Sequence, residues 1–304
     1  MSTTTSGFER IKEIFSEHRR QRYRSFLRRL RSNPKALVGL AIVGALLLVA
    51  LFAPYIAPYS PTEIHVMKRT QAPSLVHPFG TDNFGRDVFS RVIMGSRISL
   101  FVGFTSVAIA TVFGVPIGII GGYYGGWTDE TLMRLMDAMM SFPPVLLALV
   151  VVTALGSSLT NVLLALGFVY TPFFARVSRS ATLSTVNDEY VEAAEARGEG
   201  DFYILFREIL PNTMAPVLVQ ASISVAFAIL AAAALSFLGL GTQPPTPSWG
   251  LMINNARGYL DSAPWMAIFP GLAIGVTVLG FNMLGDALRD VLDPKVDTVG
   301  RSEE

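Results

Sequence analysis

The chain has 304 residues, 51% of them hydrophobic and 15% charged, against roughly a quarter charged in ordinary soluble domains, and that balance points to a membrane. The formal net charge of +1 comes from basic residues gathered at one end rather than spread over a face, so no nucleic-acid partner is expected. Cysteine is absent, which excludes disulfides, thiolate metal sites and cysteine nucleophiles, and the histidines, His18, His65 and His77, are too scattered to suggest a metal site.

Residues 1–35 include Arg19, Arg20, Arg22, Arg24, Arg28, Arg29, Arg31 and Lys35, a basic segment expected to stay in the cytoplasm. Phe8, Ile11, Phe15, Phe26, Leu27 and Leu30 recur among these charges at roughly helical spacing. That fits an amphipathic helix on the inner membrane surface, with a plain basic tail as the alternative. An apolar stretch over 36–56 follows, long enough to cross the hydrocarbon once. The long charged region before it, and the lack of a small-residue cleavage site at Ala53-Pro54-Tyr55, make it an uncleaved anchor.

The proline-punctuated run 59–78 reads as an external loop, and 99–121 as a second span. Asp129 is expected to cap the next helix, whose apolar part covers 138–155 with Pro143 and Pro144 kinking its start. A short fourth span over 161–175 ends at Arg176 and Arg179. A fifth covers 214–238, a proline- and glycine-rich external loop 239–264, and a sixth 265–284. Asp286, Arg289, Asp290 and Asp293 then close the chain in water. Six crossings put both termini and the interval 178–212 inside. Orientation rests on the N-terminal basic cluster, because Lys68, Arg69, Arg86, Arg91 and Arg97 fall in the first external loop.

None of the six apolar stretches contains Asp, Glu, Lys, Arg or His. A proton-driven carrier needs a titratable group near the midplane, so that class is disfavoured, while sodium coupling through backbone carbonyls stays open. The chain has no ATPase of its own: a phosphate loop needs glycine before lysine, and no glycine precedes Lys12, Lys35, Lys68 or Lys295. Gly103, Gly114, Gly118, Gly271 and Gly275 permit either close helix packing or a path, with packing the simpler reading.

The interval 178–212 reads as two short helices. Asp188 and Asp201 are expected N-caps, Gly198 suits the left-handed position that ends the first helix, and Pro211 stops the second. Ala193 and Ala194 are expected to make one surface shallow enough for a partner backbone, with Tyr190, Phe202, Phe206 and Leu210 supplying apolar contacts. A solvated connector between spans is the alternative.

Glu192-Ala193-Ala194, three residues, Gly198, and then Ile209-Leu210-Pro211 resemble the cytoplasmic coupling motif of the integral membrane subunits of prokaryotic ATP-binding-cassette importers. One departure is Glu208, where many members carry histidine. Phe79-Gly80-Thr81-Asp82-Asn83-Phe84-Gly85-Arg86-Asp87-Val88 and Gly95-Ser96-Arg97-Ile98-Ser99-Leu100 resemble the C-type subunits of dipeptide and oligopeptide permeases. So do Leu132-Met133-Arg134-Leu135-Met136-Asp137 with Ser141-Phe142-Pro143, Pro247-Ser248-Trp249-Gly250, Phe269-Pro270-Gly271 and the run from Gly280 to Asp290.

The resemblance implies an all-α polytopic membrane protein of about six transmembrane helices with the type I importer permease fold, in a prokaryotic cytoplasmic membrane. It divides the chain into a basic segment 1–35, a first transmembrane helix 36–58, an extracytoplasmic loop 59–96, a conserved transmembrane domain 97–286 with its coupling loop at 178–212, and a cytoplasmic tail 287–304. It further implies half of a peptide pathway, with Glu192, Ala193, Ala194, Gly198, Leu210 and Pro211 contacting a separate ATPase subunit. The implied partners are a homologous B-type permease subunit, ATPase subunits that bind the ATP, an extracytoplasmic substrate-binding protein, peptide substrate and membrane lipid. No cofactor, metal or enzymatic activity is expected of the chain itself. An importer for nickel or another small solute is the alternative within the family, and an autonomous secondary carrier the alternative outside it. The outer loop from Trp249 to Trp265 is a candidate contact for the binding protein, its aromatics being alternatively interface anchors.

Overall fold

A computed structural model describes residues 31–292. Most of the N-terminal basic segment and the end of the tail lie outside them. Helix α1 (Pro34–Ile56) starts where the Asn33 side chain accepts hydrogen bonds from the Lys35 and Ala36 amides, with Pro34 in the first turn, where its missing N–H is no loss. After a loop comes α2 (Val88–Tyr124), capped by Asp87, whose carboxylate accepts from the Ser90 amide at 2.7 Å. Its 37 residues make about 55 Å of helix, so it runs well past the hydrocarbon.

The third apolar stretch does more than kink. Helices α3 (Gly126–Met140) and α4 (Pro144–Leu155) meet at 89°, because Pro143 and Pro144 cannot continue the hydrogen-bond ladder. Asp129 is not the cap expected of it: the N-cap of α3 is Gly125, whose φ of 61° turns the chain out of α2, and Asp129 lies in the first turn. Helix α5 (Leu159–Thr185), capped by Ser158, extends ten residues beyond the expected end, so Arg176 and Arg179 stand on the helix rather than past it. Short α6 (Glu189–Ala196) leads to α7 (Asp201–Phe237), then α8 (Trp249–Ala256) inside the expected outer loop, and α9 (Trp265–Leu292), which carries Asp286, Arg289 and Asp290 as helical residues.

Five helices, α1, α2, α5, α7 and α9, are long and apolar enough to cross a membrane, and the bent pair α3–α4 makes six if it counts as one span. Among the described residues there is no β-strand. The core centres on α2 and α5, which share the most extensive contact, with α7 packed against both and α1 held by α9. The intimacy of α2 and α5 has a sequence cause. Gly114, Gly118 and Gly122 recur every fourth residue on one face of α2 and meet the α5 backbone at Thr171, Ala175 and the Thr182 side chain. A Cβ at Gly114 would lie 2.5 Å from the Thr171 carbonyl oxygen. Small residues at this spacing let membrane helices approach backbone to backbone. Packing is thus what Gly114 and Gly118 do, as does Gly103 against Ile229, whereas Gly271 and Gly275 face open space.

Candidate functional site

The segment between α5 and α7 is built around two turns. Asp188 has the extended backbone of an N-cap but its side chain makes no capping bond; the Asp188 carbonyl accepts from Val191 and Glu192 instead, while Glu189 and Glu192 sit favourably in the first turn of α6. At the other end Gly198, at φ 78°, takes the left-handed conformation. The Glu199 amide donates to the Ala194 carbonyl at 3.2 Å and the Gly198 amide to the Glu195 carbonyl at 2.8 Å. These are the paired bonds of a glycine-ended helix, which close the carbonyls a helix end otherwise leaves open.

The two alanines differ. Ala194, with Val191, is fully buried and joins Ile204 and Ile209 in the hydrophobic core, because a three-residue spacing puts both on the inner face of α6. Ala193 is exposed, as are Glu192 and Glu195, so the outward surface of α6 has one of the expected alanines, not both. Beside it Phe202 and Phe206 are 75% and 52% exposed, their ring centroids 4.5 Å apart. Glu192 makes no ion pair among the described residues.

The second short helix is not separate. Asp201 does not cap it; Gly200 takes the extended cap conformation and Asp201 is the first helical residue, its carboxylate accepting from the Tyr124 hydroxyl at 2.8 Å and the Tyr123 hydroxyl at 3.4 Å. From there α7 runs unbroken through Pro211. The helix widens to a π turn over Ile204–Ile209, where the Leu210 amide donates five residues back to the Leu205 carbonyl, and the looser ladder accommodates the proline's missing N–H. Leu210 is half-buried and Pro211 exposed at the start of the α-helical part. Burial raises the pKa of the Tyr190 phenol, with the Asp188 charge acting in the same direction, and the neutral hydroxyl accepts from Asn212 at 3.1 Å.

Two further ties hold this end of the molecule, and both use residues whose pairing has no signature in sequence spacing. Arg179 of α5 donates to both carboxylate oxygens of Asp129 on α3, and Arg176 donates to Asp137 one face further along. Asp129 and Asp137, eight apart, and Arg176 and Arg179, three apart, each lie along one helix side.

At the opposite end the first loop is not a loose connector. Asp82 pairs with Arg86 at 2.6 Å and lies 3.6 Å from Arg91, whose guanidinium donates to the Pro61 carbonyl, and His77 meets Asp87 at 2.9 Å, all of them buried. Two aromatics of the outer loop from Trp249 to Trp265 turn inward. Trp249 is buried with its indole N–H donating to the Val92 carbonyl at 3.0 Å, and Trp265 donates to the Thr81 carbonyl at 3.1 Å, so both rings anchor the first loop and α8 onto the helices. Between α4, α5, α7, α8 and α9 lies a cavity of about 700 Å³ with no charged residue among the described residues that line it.

Residues 114–298 match the family described as "Binding-protein-dependent transport system inner membrane component". The chain belongs to this family of transporter inner membrane components. Residues 22–73 of the permease match a second family, "N-terminal TM domain of oligopeptide transport permease C". The permease is 47% identical over 274 residues, 90% of either chain, to the dipeptide transport system permease protein DppC of Alkalihalophilus pseudofirmus. It is 45% identical to the glutathione transport system permease protein GsiD of Pectobacterium atrosepticum, over 90% of its own length and 91% of that protein. Its fold is similar to that of the solved MetNI methionine ABC transporter in an inward-facing conformation. The TM-score there is 0.54 at 20% identity, covering 66% of the permease and 96% of that chain.

Proposed function

We propose that this permease forms half of the pathway of an importer for di- and oligopeptides and couples it to a separate ATPase through α6 and the start of α7. Its partners are a homologous B-type permease subunit, ATPase subunits that bind and hydrolyse ATP, and an extracytoplasmic substrate-binding protein. Both termini and α6 lie on the cytoplasmic side of the inner membrane. The observation that carries the coupling role is the uncovered face of this segment. Ala193 and a Glu192 with no ion-pair partner among the described residues are exposed on the glycine-closed α6, and Phe202 and Phe206 are exposed at the start of α7. Exposed apolar groups of that kind on a polar segment mark a protein contact. Peptide is the substrate class because the relatives at 45–47% identity over nine-tenths of the chain are dipeptide and glutathione permeases. The test is uptake by proteoliposomes holding the complete importer. Labelled dipeptide should accumulate only with both ATP inside and binding protein outside. Uptake without ATP would remove the coupling role, and nickel accumulation in place of peptide would remove the substrate class.

A further inference from the structure

We propose that Tyr170 of α5 and Gln220 of α7 form an uncharged hydrogen-bonding station for the backbone of the passing peptide, inside the cavity between α4, α5, α7, α8 and α9. The proposal rests on the peptide reading above and names the groups that meet the substrate. The cavity's volume of about 700 Å³ lies in the range of small-ligand sites, roughly 300–1,000 Å³. Its walls are apolar, with Val145, Phe173, Phe227, Leu230 and Ile274 among them, and no Asp, Glu, Lys, Arg or His among the described residues lines it.

Against that lining the polar groups stand out. Tyr170 is 6% exposed, its ring steadied by Phe173 at a centroid distance of 5.9 Å, yet its hydroxyl has no hydrogen-bond partner among the described residues. The residue is buried, but its hydroxyl oxygen is not one of the fully buried atoms left without a partner, so it opens into the cavity. An accessible hydroxyl in an apolar wall is free to bond a polar group that arrives in the cavity. Gln220 is the complement. Its side-chain amide nitrogen donates to the Ser224 hydroxyl one turn along α7 at 3.0 Å, which fixes the amide and leaves its carbonyl oxygen without a partner among the described residues.

A peptide bond entering apolar surroundings needs an acceptor for its N–H and a donor for its C=O. The Gln220 carbonyl supplies the first and the Tyr170 hydroxyl the second. Neutral groups suit a pathway, since a site must bind well enough to admit a substrate and weakly enough to release it. They also read the backbone common to all peptides rather than any side chain.

The complete importer in proteoliposomes tests this with a tripeptide and its analogue N-methylated at the central amide, both delivered at saturating binding protein. Parental vesicles should import the tripeptide faster than the analogue. Gln220→Leu should reduce that preference by about three- to tenfold, the worth of one hydrogen bond. Tyr170→Phe, which keeps the ring, should slow both substrates by a similar factor with unchanged membrane abundance. Parental preference and parental rates in both variants would overturn the station. In a second measurement Ile223→Cys, the chain having no natural cysteine, should react with a thiol reagent in the assembled importer and be protected by tripeptide. A thiol blocked equally with and without tripeptide would mean that the partner permease fills the cavity, and would overturn the proposal. Failure of the parental importer to move any peptide would overturn the substrate reading together with the station, whereas parental behaviour of the variants sinks the station alone.

Discussion

The Tyr124 hydroxyl at the end of α2 donates to the Asp201 carboxylate at the start of α7 at 2.8 Å, and Tyr123 reaches the other oxygen of the same carboxylate at 3.4 Å. One end of this link is α2, a helix of the core; the other is the first residue of α7, which follows the α6 turn. A push on α6 therefore reaches α2 without passing through the α7 π turn. The double variant Tyr123→Phe/Tyr124→Phe removes only the two hydroxyls. The expected outcome is normal membrane abundance with fewer peptides imported per ATP hydrolysed. An unchanged ratio of import to hydrolysis in proteoliposomes would show that the link carries no motion.

Arg179 and Asp129 hold α3 across the end of α5 through two charge-assisted hydrogen bonds. Such bonds contribute about 1.5–3 kcal/mol when shielded and less when solvated, and this pair is intermediate, its side chains 34% and 15% exposed. Arg179→Asp sets two carboxylates against each other and should lower the thermal midpoint of the detergent-purified importer by several degrees. Adding Asp129→Arg should recover part of that loss. Failure of the double exchange to recover any stability, with both proteins inserted, would mean that the arginine acts through its packing alone.

Hydropathy made the crossings legible because a span is a matter of length and composition, and α1, α2, α5, α7 and α9 contain the expected stretches. Gly198 was legible for a different reason: a glycine closing an alanine-rich turn is a local signal, read without knowing the rest of the fold. Azimuth was not. Whether Ala193 or Ala194 faces out depends on where Ile204 and Ile209 lie, and that is a tertiary fact. Trp249 looked like an outer-loop aromatic because its neighbours are proline and glycine, while its indole is held by a carbonyl 157 positions away. Asp129 carries a capping residue type, but a charge partner fifty positions along the chain decides its role. Pro211 looked like a stop because sequence does not show that the preceding turn is already widened.

The expected sidedness can be read with single cysteines, since none is native. Leu75 and Thr246 are exposed in the two loops assigned outside, and Ser184 is exposed at the end of α5. An impermeant thiol reagent added to intact cells should modify Leu75→Cys and Thr246→Cys, and should modify Ser184→Cys only after permeabilisation. Labelling of Ser184→Cys in intact cells would put α6 on the wrong face for any contact with a cytoplasmic ATPase.

Gly198 separates backbone geometry from surface chemistry in the coupling segment. A Cβ added there meets nothing within 4 Å, so a side chain is not excluded by its neighbours; the constraint is the φ of 78° alone. A branched residue pays about 1–2 kcal/mol in the left-handed region, and leaving that region breaks the bonds from Gly198 and Glu199 to the end of α6, which set the direction in which α7 departs. Asparagine, which tolerates this conformation, should then be a mild change and valine a severe one, although both add bulk to the same open surface. Gly198→Val is expected to reach the membrane in normal amount while losing most peptide import and peptide-stimulated ATP hydrolysis. Gly198→Asn should keep at least half of both. Glu192→Lys tests the surface itself, because that carboxylate has no ion-pair partner among the described residues and reversal leaves α6 intact apart from a small unfavourable interaction with the helix dipole. Its loss of import should be accompanied by weaker retention of the ATPase subunit on the purified membrane subunits. A solvated connector would tolerate all three substitutions, so near-parental import by Gly198→Val and Glu192→Lys, measured beside membrane abundance, would refute coupling through this segment.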